Sequence, residues 1–167
     1  DRFALYYLST LYRESAKFDQ SIQLSEQHIK LYPNDKEGYI NKSISLISLQ
    51  RFDLAKNQLS EALELFPEDF QINYFLGLAY YSLKDFESAE IFYNKALSID
   101  TSSIAAMHAL AMAYDQNKKW EKSDQLYTEL IALNTNDAQA YNNYAYSLIE
   151  RNEDVDYALT LAKKAIE

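Results

Sequence analysis

The chain contains no cysteine. Disulfides, thiolate metal sites and a cysteine nucleophile are therefore excluded. A reducing cytoplasm and an oxidising periplasm suit it equally. Glycine is also scarce: Gly38 and Gly77 are the only two, so no glycine-rich phosphate loop exists. No apolar run approaches the ~18 residues of a membrane span, and no signal peptide is visible. Opening on Asp1 rather than Met, the sequence reads as a fragment or processed product, so the lack of a signal peptide in it does not fix the compartment. Basic residues are the minority, 16 against 25 acidic, for a net charge of -9. Nucleic acid and anionic membrane surfaces both demand clustered Lys and Arg, so neither is an expected partner. The two histidines, His28 and His108, lie far apart in sequence. Neither has a nucleophile or metal-ligand companion at a telling spacing. Carboxylates are numerous, yet nothing singles out a pair. No catalytic residue, metal site or cofactor is expected.

A period is what the chain does have. Phe18, Phe52, Phe86 and Trp120 stand 34 residues apart, each followed by an acidic residue. Tyr12, Leu46, Tyr80, Tyr114 and Leu148 keep the same step, as do the small residues Ser9, Ser43, Gly77, Ala111 and Ala145. Several columns in one register mean one supersecondary unit copied along the chain. Within residues 70–103, apolar residues recur at three- and four-residue steps in two segments, which predicts two helices. The stretch Ser82-Leu83-Lys84-Asp85 joins them, too short for anything but a turn. A second small column, Ser21, Ala55, Ala89 and Ser123, with Ala158 one residue out of register, lies on the second helix of each unit. The two small columns are expected to let antiparallel helices approach closely, with the aromatic column plugging the end of each pair. The Asn/Asp residues of Pro33-Asn34-Asp35, Pro67-Glu68-Asp69 and Thr135-Asn136-Asp137, and the hydroxyls of Thr101-Ser102-Ser103, stand where the next first helix begins and are expected to supply its cap.

Leu76-Gly77, Tyr80, Ala89, Tyr93 and Ala96 carry a spacing that resembles the tetratricopeptide repeat family, with Thr101 in the family's proline place. The resemblance covers the whole chain as repeats 2–35, 36–69, 70–103, 104–137 and a partial 138–167. It implies an all-α fold, a single right-handed superhelical solenoid over 1–167 built of about ten helices in antiparallel pairs. Departures are few. His28 and Leu130 replace small residues, Lys42 replaces a leucine, and the fifth repeat gains one residue in its turn. The stretch Asn142–Leu148 is similar in style to bacterial members.

The family resemblance also implies that the first helices line a concave groove, and hence that the chain is a non-catalytic module for protein–protein interaction. The groove places, carried over residue by residue, give Tyr6 and Arg13 in the first repeat. They give Ile40, Asn41, Ile44 and Ile47 in the second, and Tyr74, Leu78 and Tyr81 in the third. His108 and Met112 come from the fourth, and Asn142, Asn143 and Tyr146 from the fifth. Phe3, Tyr7 and Glu37 occupy further places of the same set. This lining is apolar and aromatic with flanking amides, suited to an apolar or amphipathic peptide. With Arg13 the only basic residue in it, a clamp for a peptide's C-terminal carboxylate is not expected. The alternative is a scaffold that self-associates through its ends or its groove. The last helix offers Tyr157, Leu159, Leu161, Ala162, Ala165 and Ile166 as an edge that a second copy, or a further helix of a longer parent, is expected to cover.

Overall fold

Short side chains that accept hydrogen bonds start most of the helices. In the computed structural model, which describes residues 1–166, Asp1, Asp35, Asp69, Ser103 and Asp137 each cap the helix that follows. Those helices are α1 (Arg2–Glu14), α3 (Lys36–Ser48), α5 (Phe70–Ser82), α7 (Ile104–Gln116) and α9 (Ala138–Glu150). In each case a side-chain oxygen accepts from a backbone N–H of the first turn, satisfying a donor that the helix itself leaves unpaired. The second helices begin on the aromatic column: α2 (Phe18–Leu31), α4 (Phe52–Leu65), α6 (Phe86–Ile99) and α8 (Trp120–Leu133), with α10 (Val155–Lys164) starting on a valine. The acidic residue after each aromatic falls in the first turn, where it complements the helix dipole.

The described residues form ten helices and no strand. They group into two compact units, Asp1–Asp100 and Thr101–Glu167. In the first unit α1 packs on α2, α3 on α4 and α5 on α6 as hairpins. The pairs join through α2 on α3 and α4 on α5, and α1, α3 and α5 lie side by side. In the second unit α7 pairs with α8 and α9 with α10, joined through α8 and α9. Both small columns are buried throughout. The core of the first unit gathers Tyr39, Ile40, Leu59, Ala62, Ile72 and Leu76.

Three details depart from expectation. Gly77 faces a ring rather than another small residue, since a Cβ there would lie 2.7 Å from Tyr93 Cδ1. The aromatic column is half-buried rather than a sealed plug. It sits at the helix start, where only one side is covered. On α10, which packs on α9, Leu161 is buried and Ala162 half-covered, while Tyr157 and Leu159 are exposed; just beyond it Ala165 is half-covered and Ile166 exposed.

The hairpin turns hold Ala16, Gln50, Lys84, Lys118 and Asn152 in the left-handed region, at φ between 55° and 64°. Glycine alone adopts this conformation without a Cβ penalty, yet none of the five is glycine. Lys84, exposed and with φ 64°, is the cleanest test. Lys84→Gly is expected to stabilise the first unit by about 0.5–1 kcal/mol, the relief of the Cβ clash less the added chain entropy. Urea unfolding checks it. An unchanged midpoint means the lysine is not strained there.

Candidate functional site

Burial separates the expected groove residues into three groups. Ile40, Asn41 and His108 are buried, and each corrects the sequence reading. Ile40 is 2% exposed and belongs to the core, packed with Leu59, Ile72 and Leu76. Its short side chain is covered as α5 closes on α3. Tyr74, at the same place one repeat later, is long enough to stay half-exposed. Asn41 donates through Nδ2 to Ser9 Oγ at 3.0 Å and Thr10 Oγ1 at 2.9 Å, so its amide ties α3 to α1 instead of facing a ligand. His108 bonds Asp137 Oδ2 through Nε2 at 2.9 Å. Burial alone would raise the Asp137 carboxyl. The backbone N–H of Ala140 and the His108 ring overcome that and hold it below its ordinary value.

The half-buried group is Tyr6, Arg13, Ile44, Ile47, Tyr74, Leu78 and Tyr81 in the first unit, with Met112 and Asn143 in the second. The open group is Asn142 and Tyr146. Beside them stand residues outside the core expectation: Phe3 and Tyr7 on α1, 57% and 61% exposed, and Ile149 on α9. Along α9, Asn142, Tyr146 and Ile149 share one exposed face at four- and three-residue steps, and Tyr146 donates to Glu150 at 3.0 Å. In the first unit, Tyr74 stacks on Phe70 and tilts against Tyr93, with centroids 5.8 Å apart in both pairs.

Tyr93, on a second helix and 1% exposed, is core that supports Tyr74 from beneath rather than a groove residue. Its ring lies along the α5 backbone where Gly77 has no side chain. Burial pushes its phenol up, and Tyr74 and Tyr81 add to the effect. Tyr127, in the same register of the second unit, donates to Asp115 Oδ2 at 2.8 Å, while Ser147 donates to Oδ1. A glycine on the first helix paired with a tyrosine sixteen residues on is the signal that marks it.

A cavity of about 230 Å³ opens between the starts of α1 and α3, lined by Arg2, Phe3, Tyr6, Tyr7, Asp35 and Glu37. A second, of about 340 Å³, lies among α2, α3 and α4, where Lys42 replaces the usual leucine and reaches out to Glu26 at 3.0 Å. Among the described residues no cluster of His, Asp and Glu is arranged to hold a metal ion. No described helix is long and apolar enough to cross a membrane.

Sequence models of the tetratricopeptide repeat match residues 3–35, 40–104 and 106–141, together most of the chain. No curated protein matches in sequence. Among solved structures, MamA 41-end from Desulfovibrio magneticus RS-1 superposes with a TM-score of 0.89 at 18% identity, covering 99% of this chain and 94% of that one. YrrB, described as a TPR protein with an unusual peptide-binding site, gives 0.81 at 15% identity, over 99% and 85% of the two chains. A tetratricopeptide repeat protein from Parabacteroides merdae ATCC 43184 gives 0.85 at 19%, over 99% and 64%. At these identities the likeness is one of fold.

Proposed function

The chain belongs to the tetratricopeptide repeat family, and we propose that it is a non-catalytic interaction module docking an apolar or amphipathic peptide on the open face of its first helices. The observation that carries this reading is the set of apolar and aromatic side chains left exposed or half-exposed on those helices within each unit. In the first unit they are Phe3, Tyr7, Ile44, Ile47 and Leu78. In the second they are Met112, Tyr146 and Ile149. Contiguous exposed apolar surface marks an interaction site more often than an accident of folding. The peptide-binding site named for YrrB, which shares the fold, supports a peptide as the class of ligand.

Tyr74 and Tyr81 are poor test positions, since both rings pack on neighbours and truncation would disturb the fold. Ile47→Lys with Leu78→Lys is the better variant. The lysine stems keep covering nearby carbon while the ammonium groups reach water. A peptide selected on the intact chain from a displayed library is expected to lose at least about tenfold in affinity for it, the worth of one anchor, with melting little changed. High salt should weaken the complex with an uncharged selected peptide little, because that contact is apolar. Unchanged affinity in the double variant would place the site elsewhere.

A second reading, a scaffold that self-associates through α10, is favoured by Tyr157, Leu159 and Ile166 at 42%, 54% and 86% exposure. Molecular mass measured against concentration separates the two.

A further inference from the structure

We propose that the cavity between α1 and α3 is a cation pocket that receives an arginine side chain of the docked peptide. This deepens the groove reading and rests on it. The floor is aromatic: Tyr6 and Tyr7 pack at 5.1 Å with their planes tilted by 59°, and Phe3 stands beside them. Ring faces attract cations, most strongly when water is partly excluded. The rim carries two carboxylates with different duties. Asp35 caps α3 and lies 3.2 Å from His28 Nε2 and 3.8 Å from Arg2 Nη1. Glu37 makes no ion pair and no side-chain hydrogen bond among the described residues, although it is half-buried. Burial raises its carboxyl above the ordinary value; the Lys36 charge, and more weakly His28, oppose this and the Asp35 and Asp69 charges add to it, so an arriving cation still relieves a remaining cost.

The chain itself shows which cation fits. The Arg2 guanidinium lies over the Phe3 ring at 4.7 Å, within ion-pair reach of Asp35. It therefore occupies the mouth as an internal stand-in while leaving Glu37 unpaired. At about 230 Å³ the space is below the ~300 Å³ at which small-molecule sites begin, and it suits a single long side chain. A planar guanidinium serves better than an ammonium, because it stacks on a ring and bonds a carboxylate at once. Phe3, Tyr6, Tyr7 and Glu37 all stand at groove places of their repeats, so a peptide lying along the first helices would pass this mouth. The net charge of -9 favours such a partner at long range.

The test is an NMR titration of the whole chain with N-acetyl-arginine methylamide, and with the glutamine analogue as the neutral control. The ring protons of Tyr6 and Tyr7 are followed. The arginine compound is expected to shift them saturably, and the glutamine compound to bind at least about fivefold more weakly, as a charge-assisted bond to Glu37 requires. Glu37→Gln should weaken arginine by a similar factor. Arg2→Ala, which removes the stand-in, should tighten it; this opposite sign separates binding from loss of folding. Equal shifts from both compounds, or unchanged arginine binding in Glu37→Gln, overturns the pocket. If a selected apolar peptide still depends on Ile47 and Leu78 while arginine shifts nothing, the pocket falls and the groove stands. Arginine bound as expected, with no groove-dependent peptide, supports the pocket and removes the groove.

Discussion

Tyr93→Ala is expected to destabilise the first unit by about 3–5 kcal/mol, the range for truncating a buried aromatic. The side chain is 1% exposed, and its ring lies 2.7–2.8 Å from where a Cβ on Gly77 would stand. Removing the ring leaves a void against bare helix backbone, which cannot collapse without moving α5 onto α6. The reciprocal change, Gly77→Ala, pushes a methyl into the ring and is expected to cost about 1–3 kcal/mol. The two effects should not add. In the Tyr93→Ala background the new methyl enters the void, so the double variant is expected to cost at least about 1 kcal/mol less than the sum. Urea unfolding of the four proteins measures the coupling. Strict additivity would show that Gly77 and Tyr93 do not pack on one another. Tyr93→Phe, which keeps the ring, should stay far closer to wild type.

The same pair marks the limit of what could be read in advance. The 34-residue columns fixed the helices, because each column obeys one constraint wherever it occurs. An aspartate or serine before a first helix always caps it, and a small residue at the crossing is always buried. Exposure within the groove follows no column. Ile40 and Tyr74 share a place, yet one is core and the other half-open, since side-chain length decides which is covered. Asn41 is taken out of the groove by Ser9 and Thr10 in the preceding repeat, hydroxyls that no neighbouring copy duplicates at both places. Its amides alone looked like ligand contacts. The left-handed turn residues were equally hidden, because the usual glycine is missing from all five turns. Glu37 stood at a groove place in the sequence. That it forms no ion pair of its own among the described residues, with the neighbouring Lys36 bonded to Asp69 instead, became visible only in the structure.

Arg151→Ala is expected to destabilise the second unit by about 3 kcal/mol, the low end for breaking a buried ion pair. Arg151 lies in the turn that carries the extra residue of the fifth repeat. Its side chain is only 5% exposed, and Nη2 donates to both oxygens of Asp124 at 2.7 Å. The guanidinium also covers the Trp120 ring at 5.5 Å. This explains the one tryptophan in a phenylalanine column, for indole gives the strongest cation–π attraction. Two features hold the effect to the lower end: Asp124 keeps 31% of its side chain in water, and Nη1 has no partner. Arg151→Lys is expected to recover less than half of the loss, because an ammonium is a point charge that cannot present a planar face to the indole. Asp124→Asn should cost less than Arg151→Ala, since its carbonyl still accepts one bond. The two changes should couple by at least about 1 kcal/mol in a double-mutant cycle. Salt discriminates the mechanism. A buried pair is screened little, so most of the Arg151→Ala effect should persist in 1 M salt. A lysine variant as stable as wild type, or a loss that vanishes in salt, would reduce Arg151 to an ordinary surface charge.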